Sequence, residues 1–216
     1  MPPRSNQDTL VILESNGVFR GLDLETGKAQ WEYDTGMEIG WPSSDRPYDV
    51  NDDFLVTIIN NRLLTIIDAH NGKELWQIEV NSVSEIVPDI LLFNNVVVIS
   101  SPSVEPTTQG YLAGYDLNTR GLIFEKYYPP RSLTHAFRCP GFYQSSKSSE
   151  YTVCVSHYRY LDVIDFNPLP ENGFVRVLGK MEWKFATLDR PYFREGFIFS
   201  VDSPNPAIQV IDVEER

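Results

Sequence analysis

The chain has 216 residues and a formal net charge of −12 at pH 7, and such an acidic surface disfavours binding to nucleic acids and to anionic membranes. The sequence contains neither a signal-peptide segment nor an apolar run long enough to span a bilayer, so a cytoplasmic or nuclear location is expected. The two cysteines, Cys139 and Cys154, give no disulfide framework and are predicted to be free thiols. Short β-branched and aromatic stretches, separated by Gly, Pro, Asn and Asp, indicate many strands joined by turns.

A segment that contains an Asp, a turn and a Trp recurs along the chain. Residues 17–34 read GVFRGLDLETGKAQWEYD, and residues 62–80 read RLLTIIDAHNGKELWQIEV. In both copies a strand ends in Asp, the turn contains Gly-Lys, and Trp follows the Asp by eight residues. The third copy has its turn glycine one place later, at Gly121, the fourth is stretched, and the fifth stops in its turn. The motif positions are Asp23, Gly27, Trp31, Asp68, Gly72, Trp76, Asp116, Phe124, Asp165, Trp183 and Asp212.

The spacing of the motif predicts the fold. Successive motif Asp residues are 45, 48, 49 and 47 positions apart, and strand-rich units of this period are typical of β-propeller blades. We expect one all-β domain over residues 1–216, with repeats at about 9–34, 37–80, 83–127, 132–186 and 187–216. The repeats supply 3, 4, 4, 4 and 3 strands, about 18 in all, so a propeller of four to five blades is expected, incomplete at both ends. The alternative is a small ring that closes on itself.

Two of the copies carry a resemblance to a known family. Residues 21–31, GLDLETGKAQW, and residues 66–76, IIDAHNGKELW, resemble the tryptophan-docking motif of quinoprotein-like (PQQ-repeat) propellers. The Asp carboxylate is expected to accept backbone N–H groups of its own turn, and the Trp is expected to pack against neighbouring blades. The resemblance implies a propeller of this type, and it implies nothing about a reaction, because the motif is structural.

No group of residues predicts catalysis or the binding of a cofactor or metal. The three histidines, His70, His135 and His157, do not have zinc-site spacing, and Ser132 near His135 lies in no nucleophile-elbow pattern. The predicted function is therefore a non-catalytic protein-interaction scaffold. The alternative is a fragment of an enzyme related to the quinone-dependent dehydrogenases. Fungal F-box proteins with quinoprotein-like propellers have similar blade motifs, which would make the chain a substrate-recognition module, although no F-box segment is present.

Two further segments are candidates for binding. The sequence DRPY occurs at 45–48 and at 189–192, in each case just before the strand that follows the blade's innermost strand. One interpretation is a pair of ligand-contacting residues, Arg46 and Arg190, near the central channel; the other is a turn that the repeat retains. A protein partner is expected, and unpaired strand edges at the open ends would also favour self-association.

Overall fold

The computed structural model describes most strands and turns of the chain. The described residues are 4–37, 48–60, 62–80, 89–93, 95–104, 109–128, 138–144, 151–157, 160–166, 176–182, 192–194, 197–202 and 207–212. Within these residues nineteen strands form five antiparallel sheets, and in each of these sheets the strands lie side by side in chain order. Side chains are described only within the first three sheets, up to residue 127.

Each sheet corresponds to one repeat, and the sheets are numbered here as blades 1 to 5. Blade 1 contains β1 (Arg4–Ser5), β2 (Thr9–Leu13), β3 (Val18–Asp23) and β4 (Ala29–Asp34). Blade 2 contains β5 (Tyr48–Val50), β6 (Phe54–Ile59), β7 (Leu63–Asp68) and β8 (Glu74–Glu79). Blade 3 contains β9 (Asp89–Phe93), β10 (Val96–Val104), β11 (Gln109–Asp116) and β12 (Gly121–Tyr128). Blade 4 contains β13 (Arg138–Gln144), β14 (Tyr151–His157), β15 (Tyr160–Phe166) and β16 (Arg176–Glu182). Blade 5 contains β17 (Tyr192–Arg194), β18 (Phe197–Asp202) and β19 (Ala207–Asp212).

The blades follow one another through their first strands. Strand β1 lies beside β5, β5 beside β9, β9 beside β13, and β13 beside β17. This succession of four-stranded antiparallel sheets is the arrangement of a propeller, in which the first strand of each blade is the innermost. The prediction of an all-β propeller is therefore confirmed. The described part of the chain contains no helix, and so none that could cross a membrane.

The strand count differs from the prediction at one end. Blade 1 has an innermost strand after all, the two-residue β1, in which Arg4 pairs with Val11 and Ser5 with Leu10. Two residues are too few to show a strand periodicity in the sequence, which is why the described residues contain nineteen strands instead of the predicted eighteen. In the described residues blade 5 has three strands, as predicted.

The described core lies between blades 1 and 2 and between blades 2 and 3, so both faces of blade 2 are covered. On β6, Leu55 packs towards blade 1, whereas Val56 and Ile58 pack towards blade 3. A strand that is buried on both faces reads as a continuous apolar run, and FLVTII of β6 is such a run. The stability of the fold therefore resides in the seams between neighbouring blades.

Candidate functional site: the seams between blades

The turn after the third strand of each blade is the first component of a seam. We call residues 23–28, 68–73 and 116–121 the docking turns of blades 1, 2 and 3. In the first of them the Asp23 carboxylate accepts the N–H of Glu25 at 3.1 Å, and it accepts the N–H and the hydroxyl of Thr26 at 2.7 and 2.8 Å. The hydroxyl of Thr26, followed by its backbone N–H, favours the ionised form and lowers the pKa of Asp23.

The other two docking turns are built in the same way. The Asp68 carboxylate accepts the N–H of His70 at 2.8 Å and the N–H of Asn71 at 3.3 Å. The Asp116 carboxylate accepts the N–H groups of the residues two and three positions later, at 2.7 and 3.1 Å. Three separate carboxylates thus close their own turns, and this is the Asx arrangement expected for such residues.

The fifth position of each docking turn has a left-handed backbone. Gly27 has φ of 68° and Gly72 has φ of 71°, which glycine adopts without a steric penalty. In the third turn this position is taken by Arg120, with φ of 59°, and not by Gly121. The expectation that the turn glycine had moved by one place is therefore wrong: Gly121 pairs with Asp116 as the first residue of the outer strand, and an arginine holds the strained conformation.

A β-bulge at one fixed place in the outer strand sets the position of the aromatic residue. The register shifts between the residues two and one before the motif Asp in blades 1, 2, 3 and 4. This bulge was not predicted from the sequence, because it depends on how two strands pair. It places Trp31 opposite Gly21, Trp76 opposite Ile66, and Phe124 opposite Gly114.

The fourth blade departs from the sequence assignment. Its register places Gly179 opposite Val163, which is the position of Trp31 in blade 1. Strand β16 ends at Glu182, so Trp183 follows it and lies outside the described residues. The backbones of Asp165 and Asp212 lie in β15 and at the end of β19, as the repeat requires.

Trp31 joins blade 1 to the docking turn of blade 2. Its indole N–H donates a hydrogen bond of 3.1 Å to the carbonyl of Ala69, and the side chain is only 7% exposed. The ring lies over Gly72, where an added Cβ would stand 2.6 Å from Cε3 of the indole. A Cβ at Gly21 would also overlap the ring. The indole is thus held between two glycines, one from its own blade and one from the next.

Trp76 occupies the corresponding place between blades 2 and 3 but is only half-buried. The residue opposite is Ile66, which is fully buried and stands where blade 1 has Gly21. The guanidinium of Arg120 covers its exposed ring face, 5.6 Å from the ring centroid, so a cation–π contact replaces the glycine contact. Trp76 was expected to be substantially buried between blades; it packs against the core cluster shared by blades 2 and 3 and remains partly exposed.

Phe124 is packed in the manner of Trp31. It is almost fully buried, and a Cβ at Gly114 would overlap its ring. Trp31 and Phe124 therefore both lie against the glycine that is opposite them in their own blade.

The second component of a seam is near the propeller axis. Tyr48, the first residue of β5, donates its hydroxyl to the carbonyl of Val11 at 3.4 Å. The buried carboxylate of Asp49 accepts the N–H of Leu92 on β9 at 2.9 Å. Strand β5 is thereby tied to blade 1 on one side and to blade 3 on the other.

This geometry also places the DRPY segments. DRPY was predicted to precede the second strand of its blade. Tyr48 and Tyr192 instead each begin the innermost strand of their blade, so DRPY leads into the innermost strand and the prediction is wrong. Arg46 and Arg190 lie outside the described residues.

The outer rim carries a third contact between blades. The hydroxyl of Tyr33 on β4 donates to the Glu74 carboxylate on β8 at 2.5 Å. Burial and this hydrogen bond raise the pKa of Tyr33. On β8 and β12, Leu75 and Leu122 are 41% and 50% exposed. Among the described residues no group of three or more His, Cys, Asp or Glu side chains could hold a metal ion.

Comparison with known proteins supports the fold and nothing finer. No protein-family model and no curated protein matches the sequence. Solved structures do match: 97% of this chain aligns with 71% of BamB from Moraxella catarrhalis at 13% identity and a TM-score of 0.53. Likewise, 97% aligns with 43% of the quinohemoprotein alcohol dehydrogenase from Comamonas testosteroni at 13% identity and a TM-score of 0.60. This is a quinoprotein-like propeller fold.

A third likeness is to an engineered protein. The computationally designed Ika8 protein aligns over 96% of this chain and 56% of its own length, at 11% identity and a TM-score of 0.69. The chain thus spans about half the length of the dehydrogenase and of the designed protein, and a larger share of BamB. Nothing in these likenesses supports the fungal F-box association.

Proposed function

We propose that this chain is a non-catalytic protein-interaction scaffold that presents rigid blade surfaces to another polypeptide. The observation that supports the proposal most is the use of the repeated residues. Asp23, Asp68 and Asp116 each accept hydrogen bonds within their own turns, and Trp31 fills a seam. Residues that recur in every unit thus hold the propeller together, which leaves the exposed surface for recognition.

The outer rim is the surface best suited to a protein partner. Among the described residues, strands β4, β8 and β12 are the last in their sheets, and the outermost strand of a sheet is where another chain can add by backbone pairing. The exposed Leu75 and Leu122 add apolar contact points on β8 and β12. A cytoplasmic or nuclear location stays a proposal based on the sequence, and the lack of nucleic-acid and membrane partners stays a proposal based on its acidic charge. Self-association through the edge of β19 also stays a prediction, which light scattering measures.

The protein-interaction proposal is tested by changing the two exposed leucines of the outer rim, Leu75 and Leu122. A partner found by cross-linking is purified, and its affinity is measured for the wild type, for the double variant Leu75→Glu/Leu122→Glu, and for the control Asn118→Asp, which adds a charge in an exposed turn. The double variant is expected to weaken binding by tenfold or more at unchanged melting temperature, and the control to leave it unchanged. Equal affinities for all three proteins would remove the rim from the proposal.

The likeness to the Comamonas dehydrogenase favours a second candidate, an enzyme fragment that oxidises alcohols with a quinone. The discriminating experiment adds pyrroloquinoline quinone and Ca²⁺ to the purified chain and records calorimetric binding and dye reduction with alcohols. The scaffold proposal expects neither tight binding nor turnover. Micromolar binding together with alcohol-dependent dye reduction would replace it with the enzyme.

A further inference from the structure

The docking turns of blades 1 and 2 have the same backbone. Gly27 and Gly72 have φ of 68° and 71°, and their N–H groups bond to the carbonyls of Asp23 and Asp68 at 2.8 and 2.9 Å. The residue after the Asp is also held alike: the N–H of Leu24 donates to the carbonyl of Asp8, as the N–H of Ala69 donates to that of Asp53. The turn of blade 1 is therefore preformed to the same shape as the turn that receives Trp31.

The two turns differ in what covers them. Gly72 is buried under the Trp31 ring, whereas Gly27 is exposed, and no described heavy atom lies within 4 Å of a Cβ added there. Leu24 is 49% exposed, but its counterparts Ala69 and Leu117 are 0% and 4% exposed. Trp31 of blade 1 and Trp76 of blade 2 each contact the docking turn of the following blade. By the same geometry the turn of blade 1 is a receiving site that no described residue fills.

We propose that the docking turn of blade 1 binds a tryptophan side chain carried on an extended segment of another polypeptide. The proposal rests on the scaffold function and deepens it by naming the chemistry of the partner. Tryptophan is specified because the indole bound in the equivalent turn uses both its ring face, over Gly72, and its N–H, which donates to the carbonyl of Ala69. The carbonyl of Leu24 is the corresponding acceptor in blade 1.

The adjoining face of blade 1 favours a peptide segment over a whole packed blade as the occupant. Arg20 stands where the buried residues Thr65 and Ala113 stand in blades 2 and 3, three positions before the motif Asp. It forms ion pairs with Glu14, at 2.7 Å, and with Glu32. Covering this face with an apolar sheet would bury the charges at a large desolvation cost, whereas a single extended segment that reaches only the turn would leave them in water.

The chain itself supplies the probe. A capped peptide copying residues 28–34, KAQWEYD, contains the segment that binds the turn of blade 2. Its binding to the wild-type protein is measured by fluorescence anisotropy with a labelled peptide and by ¹⁵N NMR, beside a control peptide in which the tryptophan is alanine. The NMR titration is expected to shift the amides of Leu24 and Gly27 but not that of Gly36.

The protein variants are Gly27→Asn and Gly36→Asn. Both glycines have φ near 70° and no described heavy atom within 4 Å of an added Cβ, and asparagine tolerates this backbone conformation. Gly27→Asn is expected to weaken the tryptophan peptide by at least tenfold, because its side chain occupies the ring position, and Gly36→Asn is expected to change nothing. Equal binding of the two peptides, or shifts that spare Leu24 and Gly27, would overturn the proposal whether or not a variant folds. If the peptide results overturn this site but the double variant Leu75→Glu/Leu122→Glu still lowers the affinity for a protein partner, the scaffold function stands without this site.

Discussion

Replacing Gly72 by alanine, beside the same change at Gly27, separates the contact of Trp31 with its docking turn from the strain of the turn itself. Both positions have φ near 70°, so an alanine costs about 1–2 kcal/mol at either one. At Gly72 the new Cβ would also stand 2.6 Å from Cε3 of Trp31, and overpacking of this kind adds about 1–3 kcal/mol. The free energy of unfolding should therefore fall by about 2–5 kcal/mol for Gly72→Ala and by about 1–2 kcal/mol for Gly27→Ala.

Urea unfolding followed by far-UV circular dichroism measures both changes, with the midpoint difference multiplied by a common slope. A strain effect alone would make the two variants alike. If the difference between them is below about 0.5 kcal/mol, the indole of Trp31 is not held against Gly72, and the described seam is wrong.

Three other predictions follow from the seams. Trp31→Ala should lower the free energy of unfolding by about 3–5 kcal/mol and Trp76→Ala by only about 1–3 kcal/mol, because Trp76 is half-buried; urea titration would contradict this by giving equal values. Arg120→Ala should cost about 0.5–1 kcal/mol through loss of the contact with Trp76, whereas Arg120→Gly should be closer to neutral because glycine relieves the left-handed backbone; a larger loss for glycine would refute the account. The folded-state pKa of Asp23 is lowered from 3.8, so its contribution to stability is present above that pH and is lost as the pH falls through the lower folded value. Asp23→Asn should therefore lose less stability than the wild type between pH 5 and pH 3 in thermal melts, and parallel losses would assign the acid sensitivity to other groups.

The sequence predicted what depends on neighbouring residues. An Asp followed four positions later by Gly predicts a turn directly, because the carboxylate accepts hydrogen bonds from N–H groups within that turn and glycine readily adopts the left-handed conformation. The blade period and the position of Trp31 followed from the same local pattern. Arg120 could not be predicted in this way, because arginine does not favour a positive φ and the adjacent Gly121 was the expected residue for the left-handed position.

What could not be predicted depends on strand pairing. The bulge in the outer strands forms only when two strands pair, so it cannot be read from the sequence. In the fourth repeat the aromatic position was assigned to Trp183, but the register places Gly179 opposite Val163. Trp76 likewise pairs with Ile66, ten residues earlier, where Trp31 pairs with a glycine, and the sequence does not display this pairing. Periodicity identifies the faces of a strand, but register decides which residues meet across it.

The direction of the tryptophan contact bears on how such a chain is assembled. Each of the first two blades contributes an aromatic residue to the blade that follows and offers a receiving turn to the blade that precedes. Each of these repeats therefore encodes both an aromatic residue (the donor) and a receiving turn (the receiver), and the contact between blades is head-to-tail. Duplicating blade 1 in the gene would place Trp31 of one copy before a docking turn with the same backbone as the turn that it meets in blade 2. A cut at a unit boundary would expose one donor on one piece and one receiver on the other, so that separately expressed halves would be mutually complementary at the ends where they were divided.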